Sequence, residues 1–382
     1  MIGQENKKRR LPLKKDILRE LEEVRKKDFS FKSGRILNSM CTSPIPFAKK
    51  VFFNFIETNL GDPGLFRGTK ELEDKAIAFL GELLNKRQAC GAIVTGGTEA
   101  NIMALWVAKN KEKKKNPEVI APESMHFSFY KACNLLSLKL KAAKINKKNE
   151  VDIKDVKRKI SKNTIAIVGR AGTTEYGSID DIEALSELAL ENNIYLHVDA
   201  AFGGFVIPFL DINKKFDFSV EGVCSITIDP HKMGLVPIPC GGILFREKKL
   251  LEYISTPTPY LTEKKQFTLT GTRSGASAAA AYAVFKLLGR EGYKKVVRRC
   301  MRVTYYLYNE IKKLGFAVIP PTLNILVFSS KNNDLIEEEL RKRGWAVSRT
   351  RKREIRMVLM PHIKMKHARL FIKDLKEICE RS

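Results

Sequence analysis

No stretch of the chain reaches the roughly eighteen uninterrupted apolar residues that a membrane-spanning helix needs. The opening residues, MIGQENKKRRLPLKKD, lack the apolar core of a signal peptide, so a soluble, unexported, cytoplasmic protein is expected. Cysteine is sparse and scattered. Cys41, Cys90, Cys133, Cys224, Cys240, Cys300 and Cys379 form no CxxC pair and are odd in number, which argues against a disulfide framework or a zinc site and fits isolated thiols in a reducing compartment. Acidic residues are in the minority: 43 Asp and Glu face 69 Lys and Arg, a formal charge of +26. The basic excess falls in runs at 7–10, 109–115, 139–148 and 341–353. Such a field can attract nucleic acid, anionic lipid or anionic substrates. No helix-turn-helix, zinc finger or RNP-type signature accompanies it, so solvated lysine-rich faces are the plainer reading and no specific nucleic-acid partner is expected. Walker and GxGxxG motifs are missing too, as is any internal repeat.

What is present is a chain of 382 residues, 44% hydrophobic, longer than one compact domain usually runs. Residues 1–50 read as an N-terminal arm with a charged amphipathic helix over 14–27, of the kind that packs on a partner subunit. From 51 to 285, β-rich runs alternate with helical patterns, which predicts an α/β large domain with a mainly parallel sheet covered by helices on both faces. AIVTGG, EVIAPES, TIAIVG, IYLHVDAA and CSITIDP are the candidate strands, with GGILFR returning antiparallel. Residues 286–382 suggest a small α+β domain.

The chemistry-bearing residues cluster at the strand ends, where an open α/β sheet binds its ligands. SITIDPHKMG delivers Lys232, followed by thirteen positions of apolar residues, Gly or Pro apart from Cys240. Desolvation there is expected to lower its pKa and make it nucleophilic towards an aldehyde. IYLHVDAAFGG ends on Asp199, a carboxylate that needs a cationic partner if buried. The small residues after it, Ala201 among them, would let a flat ring approach the backbone. VTGGTEAN sets Gly96, Gly97 and Thr98 where a strand gives way to a helix, an arrangement suited to phosphate. His126 in APESMHFSFYKA can stack on an aromatic ring or move a proton. Thr173 and Thr174 in AGTTEYGSIDD add hydroxyls at the same edge. Each has a plainer reading alone: a structural lysine, a turn-capping aspartate, an ordinary helix cap, a structural histidine. Together, a nucleophilic lysine, a carboxylate, a phosphate cradle and an imidazole are what pyridoxal phosphate requires. No metal is called for.

At these residues the sequence resembles the fold-type I pyridoxal-phosphate enzymes, and within them the group II amino-acid decarboxylases, through HVDAA and DPHK. The run SMCTSPIP, NLGDPGLFRGTKELE, TGGTEAN, HFSF, AGTTEYGSIDDI, HVDAAFGGFVIPF, SITIDPHKMG, GTRSG and IRMVLMPH is similar to the archaeal L-tyrosine/L-aspartate decarboxylases. The resemblance implies a pyridoxal-phosphate-dependent α-decarboxylation, of L-tyrosine to tyramine or L-aspartate to β-alanine, serving methanofuran or coenzyme A biosynthesis. It implies that Lys232 holds the cofactor as an imine, Asp199 pairs with the pyridine nitrogen, His126 stacks on the ring, and Gly96, Gly97 and Thr98 hold the phosphate with His231 beside them. Thr174 belongs to the same cofactor set. Gly271 and Thr272 of GTRSG would reach the phosphate of a neighbouring subunit in a homodimer, and Arg356 would bind the substrate α-carboxylate. Tyr130 and Arg170 depart from the family pattern, and Arg170, with the positive field, could favour aspartate. Another fold-type I lyase, of aldehyde-lyase or desulfurase type, is the alternative; a basic binding protein that lost catalysis is the rival of another class.

Overall fold

The computed structural model describes residues 13–380; the basic run at 7–10 lies outside them. Among the described residues the main sheet has seven strands: β1 (Cys90–Val94), β2 (Glu118–Pro122), β3 (Lys139–Ala143), β4 (Thr164–Arg170), β5 (Tyr195–Asp199), β6 (Val223–Ile228) and β7 (Gly241–Phe245). They stand in the order β1-β7-β6-β5-β4-β2-β3, with β7 antiparallel to both its neighbours. The other strands are therefore parallel, and their carboxyl ends lie at one edge.

Strand alternation divides the core. Ile93, Ile120, Ile167, Leu196 and Val198 pack into one apolar cluster, whereas Ala92, Val119, Ala166 and Tyr195 pack into another on the opposite face. The second face is covered by a helix, Gly97–Glu112, whose residues Glu99 to Leu105 are all buried, as expected of a helix enclosed on every side. A short two-stranded ribbon, β8 (Thr256–Pro257) with β9 (Lys265–Gln266), precedes the GTRSG segment. The long helix Gly275–Lys313 then leads away from the main sheet, broken at Gly289, whose φ of 53° and ψ of −170° leave helical geometry.

A separate antiparallel sheet follows, in the order β10 (Ala317–Ile319), β11 (Ile325–Ser329), β13 (Ile355–Val358), β12 (Ser348–Arg349). Residues 35–42, expected as part of an arm, are instead woven into this sheet. Leu37 donates its backbone NH to Ala346 at 2.8 Å and accepts from Val358 at 2.6 Å, while Thr42 Oγ1 meets His362 Nδ1 at 2.9 Å. Leu37 is buried in the same cluster as Trp345 and Phe371, which is reason enough for the chain to dock there. The preceding helix Lys14–Arg25 buries nothing, and Leu13, Ile17, Leu18, Leu21 and Val24 are exposed. None of the helices among the described residues is long and apolar enough to cross a membrane.

Candidate functional site

The carboxyl ends of β1, β2, β4, β5 and β6 surround a cleft of about 360 Å³. Its lining includes Gly96, Gly97, Thr98, His126, Thr174, Asp199, Ala201, His231 and Lys232. Gly271, Thr272 and Arg356 do not line it. Thr272 borders a separate hollow of about 50 Å³, and both it and Gly271 are exposed on their own chain.

The turn after β1 is shaped for close approach. Gly96 is the N-cap of the following helix, with no side chain capping it, so Thr98 stands in the first turn rather than at the cap. Gly97 and Thr98, whose NH groups no intrahelical bond satisfies, both line the cleft. A Cβ on Gly96 would sit 3.0 Å from the His231 ring, and one on Gly97 3.1 Å from Asp229 Oδ2. Glu99 folds back to accept from Thr95 N at 2.8 Å and Thr95 Oγ1 at 2.7 Å, and fixes the turn from behind.

Lys232 keeps 17% side-chain exposure, and its Nζ lies 3.0 Å from Asp229 Oδ2. Burial acts to lower its pKa, but the Asp229 and Asp199 carboxylates outweigh burial and raise it. The expected lowering is therefore corrected: the two carboxylates favour the ammonium form of Lys232. Asp229 itself is 1% exposed, with Oδ1 lacking a hydrogen-bond partner. Its carboxylate is the member of the DPHK motif that sequence reasoning passed over. His231 Nδ1 accepts from Cys240 N at 3.1 Å, which ties the motif to the start of β7. Burial lowers the pKa of both His231 and His126. His126 Nδ1 lies 2.9 Å from Ser128 Oγ.

Asp199 accepts from Ala201 N at 3.1 Å through Oδ1 and from Asn101 Nδ2 at 3.1 Å through Oδ2. Asn101 and His197 are two buried residues that sequence reasoning also missed, although both stand inside the quoted motifs. Thr173 is occupied structurally, its Oγ1 bonded to Ser178 Oγ at 2.8 Å, while Thr174 is exposed at the cleft.

The two arginines behave differently. Arg170, 4% exposed, donates Nε to Asp180 Oδ2 at 2.9 Å and Nη2 to Asp180 Oδ1 at 2.8 Å, with Nη1 on Ser124 Oγ. It lines the cleft, and its charge is paired with a fully buried carboxylate. Arg356, 5% exposed, donates Nε to the Thr174 carbonyl at 2.6 Å and Nη1 to Ser348 Oγ at 3.0 Å. Its Nη2 has no partner, and burial pulls its pKa down to about 10 against the raising effect of Glu175. Tyr130 is 51% exposed and does not line the cleft.

A model of the pyridoxal-dependent decarboxylase conserved domain matches residues 68–329, which span every strand end just described. The chain is 51% identical over 357 residues to the probable L-tyrosine/L-aspartate decarboxylase of Methanothermobacter thermautotrophicus, covering 91% of this chain and 98% of that one. It is 51% identical over 374 residues to the L-aspartate decarboxylase of Thermococcus kodakarensis, covering 96% and 97%. Among solved structures, the Burkholderia pseudomallei sphingosine-1-phosphate lyase superposes with a TM-score of 0.88 at 27% identity over 99% of this chain and 93% of that one. Lactobacillus brevis glutamate decarboxylase superposes at 0.89 and 22% identity, covering 100% and 95%, a likeness of fold.

The class these observations define is a fold-type I pyridoxal-phosphate enzyme. Within it the chain belongs to the pyridoxal-dependent decarboxylase family, and it is an amino-acid decarboxylase.

Proposed function

We propose that this decarboxylase acts on L-aspartate, L-tyrosine or both, with Arg356 as the clamp for the substrate α-carboxylate. The observation that carries the reading is the Nη2 of Arg356, a buried guanidinium nitrogen with no partner among the described residues. A planar guanidinium fork binds a carboxylate directionally, and removing a charge from water without a partner is costly. The relatives are named for L-aspartate alone or for L-tyrosine and L-aspartate together, and the free nitrogen suits the α-carboxylate that both acids share.

The cleft residues fit the cofactor. Lys232 would carry it, Asp199 would pair with the pyridine nitrogen, and His126 would lie on the ring. Gly96, Gly97 and Thr98 would hold the phosphate, with Thr174, Ala201 and His231 around it. When bound, pyridoxal phosphate supplies a sink for the electron pair left at Cα as CO2 departs. Arg356 would orient the substrate carboxylate, and Asp199 would keep the ring nitrogen charged.

Gly271 and Thr272, exposed on their own chain, would complete the phosphate site of a second copy, and the bare apolar face of the helix Lys14–Arg25 suits burial in the same homodimer. The free thiols fit a reducing cytoplasm. Tyramine or β-alanine would feed methanofuran or coenzyme A synthesis. The deciding experiment is kcat/KM with carboxyl-labelled aspartate and tyrosine, read as released CO2 and as amine. Release of CO2 with stoichiometric β-alanine or tyramine is expected; cleavage of neither acid would sink the substrate assignment.

A further inference from the structure

Beneath the cleft lies a cluster of polar side chains, of which Asn101, Ser128, His197, Ser225 and Thr227 are buried and Asp199 reaches the cleft. His197 pairs across the sheet with Ser225, and Asp199 with Thr227, so all four side chains leave the sheet on the face where Asn101 of the helix Gly97–Glu112 is packed. Asn101 uses its whole amide. Its Oδ1 lies 2.7 Å from the donating Thr227 Oγ1 and 2.9 Å from His197 Nε2, while Nδ2 donates to Asp199 Oδ2 at 3.1 Å and to Ser128 Oγ at 2.9 Å. An amide oxygen accepts, so His197 must carry its proton on Nε2, and Nδ1 then accepts from Ser225 Oγ at 2.8 Å. Ser128 Oγ, already receiving from Asn101, is left to donate to His126 Nδ1 at 2.9 Å. One amide therefore touches Asp199 directly and His126 through a single hydroxyl.

We propose that Asn101 is a positioning residue for the cofactor ring, fixing Asp199 and His126 together, with its own orientation set by His197. The proposal rests on the reading that Asp199 and His126 face the bound ring. The amide cannot turn over, because a flip would set its NH2 against His197 Nε2–H and its oxygen against the Asp199 carboxylate. His197, buried beneath, is kept neutral by desolvation and so supplies a single fixed donor. The carboxylate and the imidazole thus share one rigid strut before any ligand arrives, a form of preorganisation that lowers the ordering required on binding.

The test uses Asn101→Ala in the full-length protein, stripped of cofactor and titrated with pyridoxal phosphate. Loss of a charge-assisted hydrogen bond should raise Kd about tenfold or more. With ring-15N cofactor, the nitrogen shift should move from the protonated towards the unprotonated value, which general loosening of the fold would not produce. A folded variant with Kd within about threefold of wild type and an unchanged shift overturns the proposal. Should the variant not fold, histidine-15N spectra of the wild-type protein decide: a neutral His197 protonated on Nε2 supports the strut, and protonation on Nδ1 or on both nitrogens overturns it. If the wild-type protein takes up no pyridoxal phosphate, the cofactor reading of the cleft fails, and the histidine spectrum still judges the orientation of Asn101.

Discussion

The floor of the cleft and the two groups beside it, Arg356 and Asp229, are built on opposite plans. On the floor, Asn101 makes four hydrogen bonds and Arg170 is paired in two with Asp180. Beside it, among the described residues, Arg356 Nη2, on a side chain bonded to the Thr174 carbonyl, and Asp229 Oδ1, in the cleft lining, are buried and have no partner. Two arginines of nearly equal burial thus carry different information. A buried fork closed on a carboxylate of its own chain is part of the scaffold, whereas one with a spare nitrogen and no counter-ion in contact is prepared for something the chain does not contain.

The largest effect is expected at Lys232, the partner of Asp229 in the cleft. Lys232→Ala should abolish turnover and the near-visible imine absorbance while the circular dichroism spectrum stays native; borohydride trapping of cofactor on another lysine would refute the assignment. Next in size, Arg170→Ala should lower stability by about 3 to 5 kcal/mol, because Asp180 is left charged and buried without its partner. Urea denaturation measures this, and a loss below about 1 kcal/mol, the level of a surface pair, would erase the contrast between the arginines.

Arg356→Ala should instead act on the substrate, cutting kcat/KM by roughly 2 to 5 kcal/mol, about thirty-fold to several thousand-fold, with Arg356→Lys rescuing it only in part. Values for aspartate and tyrosine that both stay close to wild type would move the clamp elsewhere. The smallest of these effects concerns acid stability. Unfolded, the His197 imidazole titrates near 6.5; folded, desolvation holds it to about 4. The unfolded chain then binds the extra proton between those values, so stability is full above the window and falls by about 3 kcal/mol as pH drops through it. His197→Gln should flatten that part of the pH–stability curve, and parallel curves for the two proteins would show that the floor does not depend on a neutral imidazole.

Most of the cleft was legible because its parts are local. Lys232, Asp199, His126 and the Gly96–Gly97 turn each sit at a strand end that periodicity and glycine placement locate. The partner of Arg170 was not legible, because Asp180, ten residues on, is brought opposite by a turn whose closure periodicity does not reveal. The direction of the Lys232 shift was missed for a related reason: the apolar residues after it were weighed, and Asp229 three residues before it was not. Asn101 and His197 were visible as letters, but a hydrogen-bond network spanning a helix and two strands has no sequence period. The segment 35–42 looked like part of an appendage because a single added strand contact, Ile36 beside Ala346, leaves no alternation to read.

The strand β3 was hidden inside a basic run, and that concealment has a use. It is an end strand of the main sheet, paired to β2 alone, and it carries Lys139 and Lys141, both ion-paired with Glu118 of that neighbour. An open strand edge is a template on which another molecule's strand can add, and lysine there makes such addition costly. A sheet of this width would otherwise offer a sticky border to every copy in a crowded cell. Replacing the lysines at 139 and 141 with valine should therefore leave the cleft intact and make concentrated protein precipitate.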